Sequence, residues 1–465
     1  MSGVFGVVGM GNCTNNLFYG VDYHSHLGTQ RGGLAVYNKE TKKIQRKIHD
    51  ITQSQFKSKF FDDYKDMNGN SGIGVISDMD SQPIIISSSF GNFAIVTAGL
   101  IENAEELALQ LQNEGLSFSE MDDGTLNTTE VIGKLITRGE NIIDGIEKMF
   151  DKIKGSVSLL LLTEEGIYAA RDRHGHTPLV VGKKDHEHVV VSETCSLPNL
   201  GFNIVKYLGP GEIVLLKEGG LSDKKGPESS TQICAFLWIY TGYPASSYEG
   251  ISVEGVRERT GKCLAKNDDI ELDFASGVPD SGTAHGIGYA MGAKVPFRRP
   301  LVKYTSGYGR SYTPPSQEIR DMVATMKLIP IKEVIKDNRM VLCEDSIVRG
   351  TQLRNFTVQK LWDNEAKEVH IRVACPPLMF PCRYILSTRT ISELAARRAI
   401  RALEGNDIED VTEYIDSNSV KFQKMVEWIK DDLGVTSLKY QTLDDMIRAI
   451  GLPKESLCLH CWCGK

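Results

Sequence analysis

Over residues 1 to about 230, short β-rich apolar runs are broken by Gly and Asn turns, the texture of β-strands. The runs Val4 to Val8, Gly72 to Ile76, Phe93 to Thr97, Ser156 to Leu162, His188 to Ser192 and Glu212 to Leu216 are predicted as strands. Ala104 to Gln112 and Thr129 to Thr137 instead carry apolar residues at three- and four-residue spacing, which predicts helices. Many strands with few helices imply layered sheets with helices on their faces, an α+β half. Gly219 to Thr231, rich in Gly, Ser, Lys and Asp, reads as an exposed turn near a domain boundary. The first domain is therefore expected over 1–230 and the second over 231–465.

From about 255 to 380 the texture changes. Strand-like runs (Leu272 to Phe274, Arg339 to Leu342, Val369 to Val373) alternate with helical ones (Gly282 to Met291, Gln317 to Met326, Gln352 to Leu361). That alternation predicts βαβ units and a parallel sheet, an α/β half. After Cys382 the pattern is mostly helical. Thr390 and Glu393 have capping-box spacing at the head of Ile391 to Leu403, and Val420 to Asp431 reads as an amphipathic helix.

Composition narrows the function classes. At roughly 150 residues per domain, 465 residues suggest two or three domains. A 41% hydrophobic and 24% charged chain is globular rather than disordered or fibrous. Fifty-three basic against 60 acidic residues give −7, a poor balance for general nucleic-acid binding. No run of about 18 apolar residues predicts a membrane helix, and the start Met-Ser-Gly-Val-Phe-Gly does not read as a secretory signal. A cytoplasmic location is expected, in which ten scattered cysteines point to metal or catalytic roles before disulfides.

The sharpest local signal is Arg339-Met-Val-Leu-Cys-Glu-Asp-Ser-Ile-Val-Arg-Gly-Thr351. An apolar strand ends in two carboxylates, Glu344 and Asp345, followed by a small-residue turn and a helix. Backbone N–H groups of Val348, Arg349, Gly350 and Thr351 can hold a 5′-phosphate, with Ser346 beside them. The carboxylates can accept ribose hydroxyls. The full segment resembles the 5-phosphoribosyl 1-pyrophosphate (PRPP) signature of type I phosphoribosyltransferases, and it lacks the Gly-x-x-x-x-Gly-Lys nucleotide loop.

Around it stand Val278-Pro-Asp-Ser-Gly282, Lys303-Tyr-Thr-Ser-Gly-Tyr-Gly-Arg310 with Pro315-Ser-Gln-Glu-Ile-Arg320, Met326-Lys-Leu328 and Cys375-Pro-Pro377. In this order they resemble the synthase half of the glutamine PRPP amidotransferase (amidophosphoribosyltransferase) family of purine synthesis. Gly3-Val-Phe-Gly6, Phe18-Tyr-Gly20, Thr129-Glu-Val131, Arg171-Asp-Arg173 and Pro210-Gly-Glu-Ile213 resemble its glutaminase half. The resemblance implies an N-terminal nucleophile hydrolase-like αββα sandwich followed by a phosphoribosyltransferase parallel-sheet domain. It further implies that Asp280 and Ser281 lie on the pyrophosphate loop, that Lys303 and Arg310 belong to a segment closing over PRPP, and that Lys327 lies nearby. Mg²⁺, with Glu344 and Asp345 as its carboxylates, would neutralise the pyrophosphate.

The glutaminase positions depart from the family. Its nucleophile is an N-terminal Cys, and here Ser2 stands there; an alkoxide is much harder to form than a thiolate. Ser77 replaces the Arg that clamps the glutamine carboxylate. Thr97-Ala-Gly-Leu100 replaces the Asn-Gly oxyanion pair, a loss that typically costs about a hundredfold or more. Thr128 replaces the acid that reads the glutamine amine, and His26-Leu-Gly28 replaces His-Arg-Gly. Replacement of four functions on one site predicts loss of glutamine hydrolysis.

Cys458-Leu-His-Cys461 taken alone is a zinc half-site, a redox pair or two core thiols. Some members of the family carry a [4Fe–4S] cluster, and Cys234, Cys382, Cys458 and Cys461 match its four ligand positions. Four thiolates also suit structural zinc, which stays the alternative. The expected activity is transfer of the phosphoribosyl group of PRPP to ammonia or another small amine. Ammonia could come from a separate protein, and a homo-oligomer, a tetramer by resemblance, is expected with no nucleic-acid or membrane partner. The alternative is a non-catalytic PRPP- or nucleotide-binding paralogue that regulates a true amidotransferase.

Overall fold

The central strand, β1 (Ser2–Val8), is buried on both faces apart from its first residue, so its sequence shows an unbroken apolar run rather than alternation. It belongs to a computed structural model describing residues 2–122, 124–228, 230–304, 326–384 and 390–464. The chain divides into two compact units. One comprises Met1–Cys234 with Ala245–Glu249 and Arg383–Leu386, and the other comprises the remainder.

In the first unit, α1 (Thr14–Asp22) leads to β2 (Arg31–Asn38), β3 (Lys43–Asp50), β4 (Ser71–Ser77), β5 (Ile84–Ser88) and β6 (Gly91–Ile101). Three helices follow, α2 (Ala104–Asn113), α3 (Thr128–Ile136) and α4 (Ile142–Lys152). Then come β7 (Gly155–Thr163), β8 (Gly166–Ala170), β9 (Val180–Lys184), β10 (Glu187–Val191), β11 (Asn203–Tyr207), β12 (Ile213–Lys217) and β13 (Gly220–Lys225). One antiparallel sheet runs β11-β9-β10-β1-β4-β2-β3 and the other β13-β12-β8-β7-β6-β5. Val4, Ile73 and Val75 of the first meet Val96, Leu160 and Val214 of the second in an apolar layer. Leu17, Phe18 and Val21 of α1 cover the outer face of the first sheet, and Leu107, Val131, Leu135, Ile146 and Met149 of α2–α4 cover that of the second. This is the expected αββα sandwich. Asn127 and Asn141 cap α3 and α4 by accepting backbone N–H groups.

The stretch read as an exposed turn from Gly219 holds a strand. Residues 220–225 pair antiparallel with β12 at the sheet edge, where a polar, partly exposed strand looks like turn sequence.

The second unit contains α5 (Val253–Lys266), β14 (Phe274–Gly277), α6 (Thr283–Ala293), β15 (Leu301–Lys303), β16 (Leu328–Pro330) and β17 (Arg339–Glu344). It continues with α7 (Gln359–Asp363), β18 (Glu368–Val373), α8 (Ala395–Glu404), α9 (Val420–Leu433), β19 (Ser437–Tyr440) and α10 (Leu443–Ile450). β14-β17-β18-β19 form a parallel sheet, as the alternating texture predicts. Leu264, Tyr289 and Ala290 of α5 and α6 pack on Ala275 and Val341.

Three boundaries differ from the sequence reading. The first strand begins at Phe274, because Asp273 is occupied in pairing with the Arg339 backbone at the sheet edge. The helix expected from Gln352 opens with a wide π-type turn, Leu353–Val358. The capping box at Thr390 does not form. A tight 3₁₀ turn fills Ile391–Glu393, α8 starts at Ala395, and Glu393 binds Arg349 instead. The helix predicted at Gln317 to Met326 falls almost wholly outside the described residues. Among the described residues no helix is long and apolar enough to cross a membrane.

Candidate functional site

β17 delivers Glu344 and Asp345 to the carboxyl end of the parallel sheet, where open α/β sheets place ligands. Beyond them, the loop Ser346–Gly350 turns with Gly350 at φ +78°. Among the described residues no acceptor takes the backbone N–H groups of Ser346 to Gly350. Five consecutive donors are thus presented together, and Thr351 opens the helical run behind them. The loop is pinned from outside: Ala395 N–H donates to the Val348 carbonyl at 2.7 Å and Arg398 to the Arg349 carbonyl at 3.0 Å. The Arg349 side chain points away to Glu393, 2.5 Å distant.

Asp345 is buried, and its carboxylate accepts from Ser346 Oγ at 2.6 Å and from the Ser281 side chain. Burial pushes its carboxyl above the ordinary value, and these hydrogen bonds partly offset that rise. Glu344 is pushed up well above its usual range, first by burial and then by the Asp345 charge beside it.

The loop Val278–Gly282 lies directly against this strand end. Val278 N–H donates to the Cys343 carbonyl at 2.9 Å, and a Cβ on Gly282 would sit 2.2 Å from that same oxygen, so only glycine allows the approach. Asp280 projects from this loop, largely exposed, and meets Lys303 Nζ at 2.6 Å. β15 and β16 pair antiparallel with Lys303 opposite Leu328. This ribbon brings Lys327 close enough for its charge to act on Glu344. Arg310 lies outside the described residues.

Sequence reasoning missed Arg257. It is buried on α5 and donates to the carbonyls of Trp238, Tyr240 and Gly242, while its charge lowers the Asp345 carboxyl. Its signal was present: an Arg four residues after Val253, on the helix's apolar face.

In the first unit, Ser2 Oγ lies 2.9 Å from Ser77 Oγ, directly across the β1–β4 pairing. Ser77 also accepts from Met79 N–H at 2.9 Å. The segment after it is bound internally at each turn. Asp78 accepts from the Thr29 N–H and hydroxyl, Asp80 from the Thr129 N–H, and Gln82 from the Thr97 N–H at 2.7 Å. Thr97 and Thr129 hydroxyls pair at 2.8 Å. Gly99, at φ +141°, abuts the Ser156 carbonyl so closely that no Cβ would fit, but neighbouring Ala98 offers no side-chain donor.

Cys382, Cys458 and Cys461 fall in the second unit, and Cys234 is the last residue of the first unit's main segment. Burial raises the Cys458 thiol to about 11, and nearby Cys382 and Cys463 add to the rise. The donor chemistry suits a soft metal. Among the described residues, however, no group of three or more His, Cys, Asp or Glu side chains is arranged to hold a metal ion, so no step is routed through one.

Fold and site together define a class: an αββα unit of the glutamine amidotransferase type joined to a phosphoribosyltransferase-type parallel sheet. A family profile described as "Glutamine amidotransferase domain" matches residues 71–199. The amidophosphoribosyltransferase of Methanocaldococcus jannaschii is 31% identical, covering 100% of this chain and 97% of its own. That of Bacillus subtilis is 30% identical over 100% and 93%. The solved B. subtilis glutamine PRPP amidotransferase, complexed with ADP and GMP, superposes with a TM-score of 0.84 at 29% identity, covering 100% of this chain and 96% of that one. The chain belongs to the amidophosphoribosyltransferase family, a family of phosphoribosyltransferase enzymes.

Proposed function

We propose that this protein transfers the 5-phosphoribosyl group of PRPP to ammonia or another small amine, and that its αββα unit no longer hydrolyses glutamine. The observation that carries the first half is the run of five N–H groups at Ser346–Gly350 that have no acceptor among the described residues, beside Asp345. In this reading they hold the 5′-phosphate, Glu344 and Asp345 accept the ribose hydroxyls, and the Val278–Gly282 loop faces the pyrophosphate. Lys303, paired with Asp280 here, and Lys327 supply cations to the leaving group. Arg310 would join them. The amine attacks the anomeric carbon, the C–O bond to pyrophosphate breaks with its electron pair leaving on oxygen, and the amine loses a proton. Mg²⁺, bound through the pyrophosphate and one or two carboxylates, supplies charge neutralisation when present.

The second half rests on Ser77 and its neighbours. The groups standing where a glutamine would be clamped already hydrogen-bond to one another, and the cation beside Ser77 in the strand pairing, Arg31, is itself paired with Asp50. Ser2→Ala is expected to leave ammonium-dependent pyrophosphate release within about twofold of the parent. A loss of tenfold or more would return Ser2 to the reaction. A homo-oligomer and a separate ammonia supplier fit this reading.

The cysteine set is tested by elemental analysis. Protein purified without oxygen is expected to carry about four iron and four acid-labile sulfides per chain on Cys234, Cys382, Cys458 and Cys461. One zinc per chain would identify the alternative, and the absence of both metals would remove the assignment.

A further inference from the structure

A groove of about 670 Å³ opens in the αββα unit at the end opposite Ser2. The strand pairings fix that separation. Ser2, Ser77 and Arg31 lie side by side at one end, and Tyr37 pairs with Ser71 six residues further along, about 20 Å away at roughly 3.3 Å per residue. The site is therefore distinct from the nucleophile position.

Its chemistry is divided between two hairpin turns. The β2–β3 turn brings Lys42 and Lys43, and the β7–β8 turn brings Glu164 and Glu165. Lys42, Lys43 and Glu164 make no ion pair among the described residues, although nearby Lys39 pairs with Glu218. Charges of both signs thus line the groove without closing on each other. The apolar lining includes the rings of Tyr37, Tyr168 and Phe90. Tyr168 donates its hydroxyl to Glu165 at 2.9 Å. Tyr37 is only 8% exposed, and its hydroxyl has no hydrogen-bond partner among the described residues. Burial, reinforced by the Glu164 charge, pushes the Tyr37 phenol up, so it remains a donor. The Tyr37 hydroxyl opens on the groove, where it can donate to a ligand oxygen.

A simple anion would meet Glu164, and a simple cation would meet both lysines. A molecule carrying both charges satisfies the two lips at once, and a flat body suits the aromatic rings. From this juxtaposition we infer that the groove binds a small zwitterion with an aromatic body, the chemistry of an aromatic α-amino acid. Its carboxylate faces Lys42, Lys43 and the Tyr37 hydroxyl, its ammonium faces Glu164, and its ring lies against Tyr37, Phe90 and Tyr168.

The test is calorimetric titration of the full chain with L-tryptophan, using 3-indolepropionate and tryptamine as single-charge comparators. Tryptophan is expected to bind about tenfold or more tighter than either comparator. Lys43→Ala should weaken tryptophan and indolepropionate but leave tryptamine unchanged, and Glu164→Gln should do the reverse for the two comparators. Both variants should keep ammonium-dependent pyrophosphate release, which reports an intact fold. Equal affinity for all three compounds, no tryptophan binding up to ~10 mM, or indifference to both substitutions in variants that keep that release would overturn the proposal.

Discussion

Asp345→Asn is expected to lower pyrophosphate release from Mg–PRPP by about a hundredfold or more while the protein stays folded. The substitution is nearly isosteric, so the packing of this buried side chain is kept. What changes is charge at the strand end. A neutral amide cannot accept from Ser346, Ser281 and two ribose hydroxyls as a carboxylate does, and it presents an NH₂ to Glu344. Positive charge developing on the ribose would lose its nearest fixed anion. Steady-state release assays and a thermal melt run together check this. A variant that melts as the parent does and turns over within about threefold would remove Asp345 from the transfer site.

Arg372→Met is expected to destabilise the second unit by about 3–5 kcal/mol. Arg372 and Asp268 are both essentially buried, joined by two hydrogen bonds, with Tyr289 at 2.7 Å and Lys439 at 3.1 Å completing the acid's partners. Removing the guanidinium leaves a buried carboxylate without its main countercharge. The same pair sets an acid limit. Burial alone would push Asp268 up, but Arg372, Tyr289 and Lys439 outweigh it and hold the carboxyl at about 2. Because that lies below the unfolded value near 3.9, the stabilisation is complete above about pH 4 and is lost as pH falls towards 2. Denaturant melts at pH 7 and pH 3 should show a smaller pH difference in the variant. An unchanged midpoint at pH 7 would contradict this assignment.

Much of this was legible before any coordinates. Layered sheets with helices on their faces follow from short β-rich runs and two helical patterns, the αββα order from the family resemblance, and the parallel sheet from alternating textures. The acidic loop followed from Glu344-Asp345 after an apolar strand. Lys327 was expected near the acids from the family resemblance alone. Less visible was anything depending on long-range pairing. Ser2 meets Ser77 only because β1 and β4 are adjacent in register, and 75 residues of sequence hide that. Glu393 looked like a cap because local spacing cannot show that Arg349 competes for it. The edge strand at Gly220 looked like a turn because edges are polar.

The most direct measurement is pyrophosphate release from Mg–PRPP by protein purified without oxygen, with ammonium and with glutamine in parallel. The account predicts turnover with ammonium and none with glutamine. Equal or faster turnover with glutamine would contradict it, because Ser2 would then be working without the clamp and the side-chain oxyanion donor that this chain has lost.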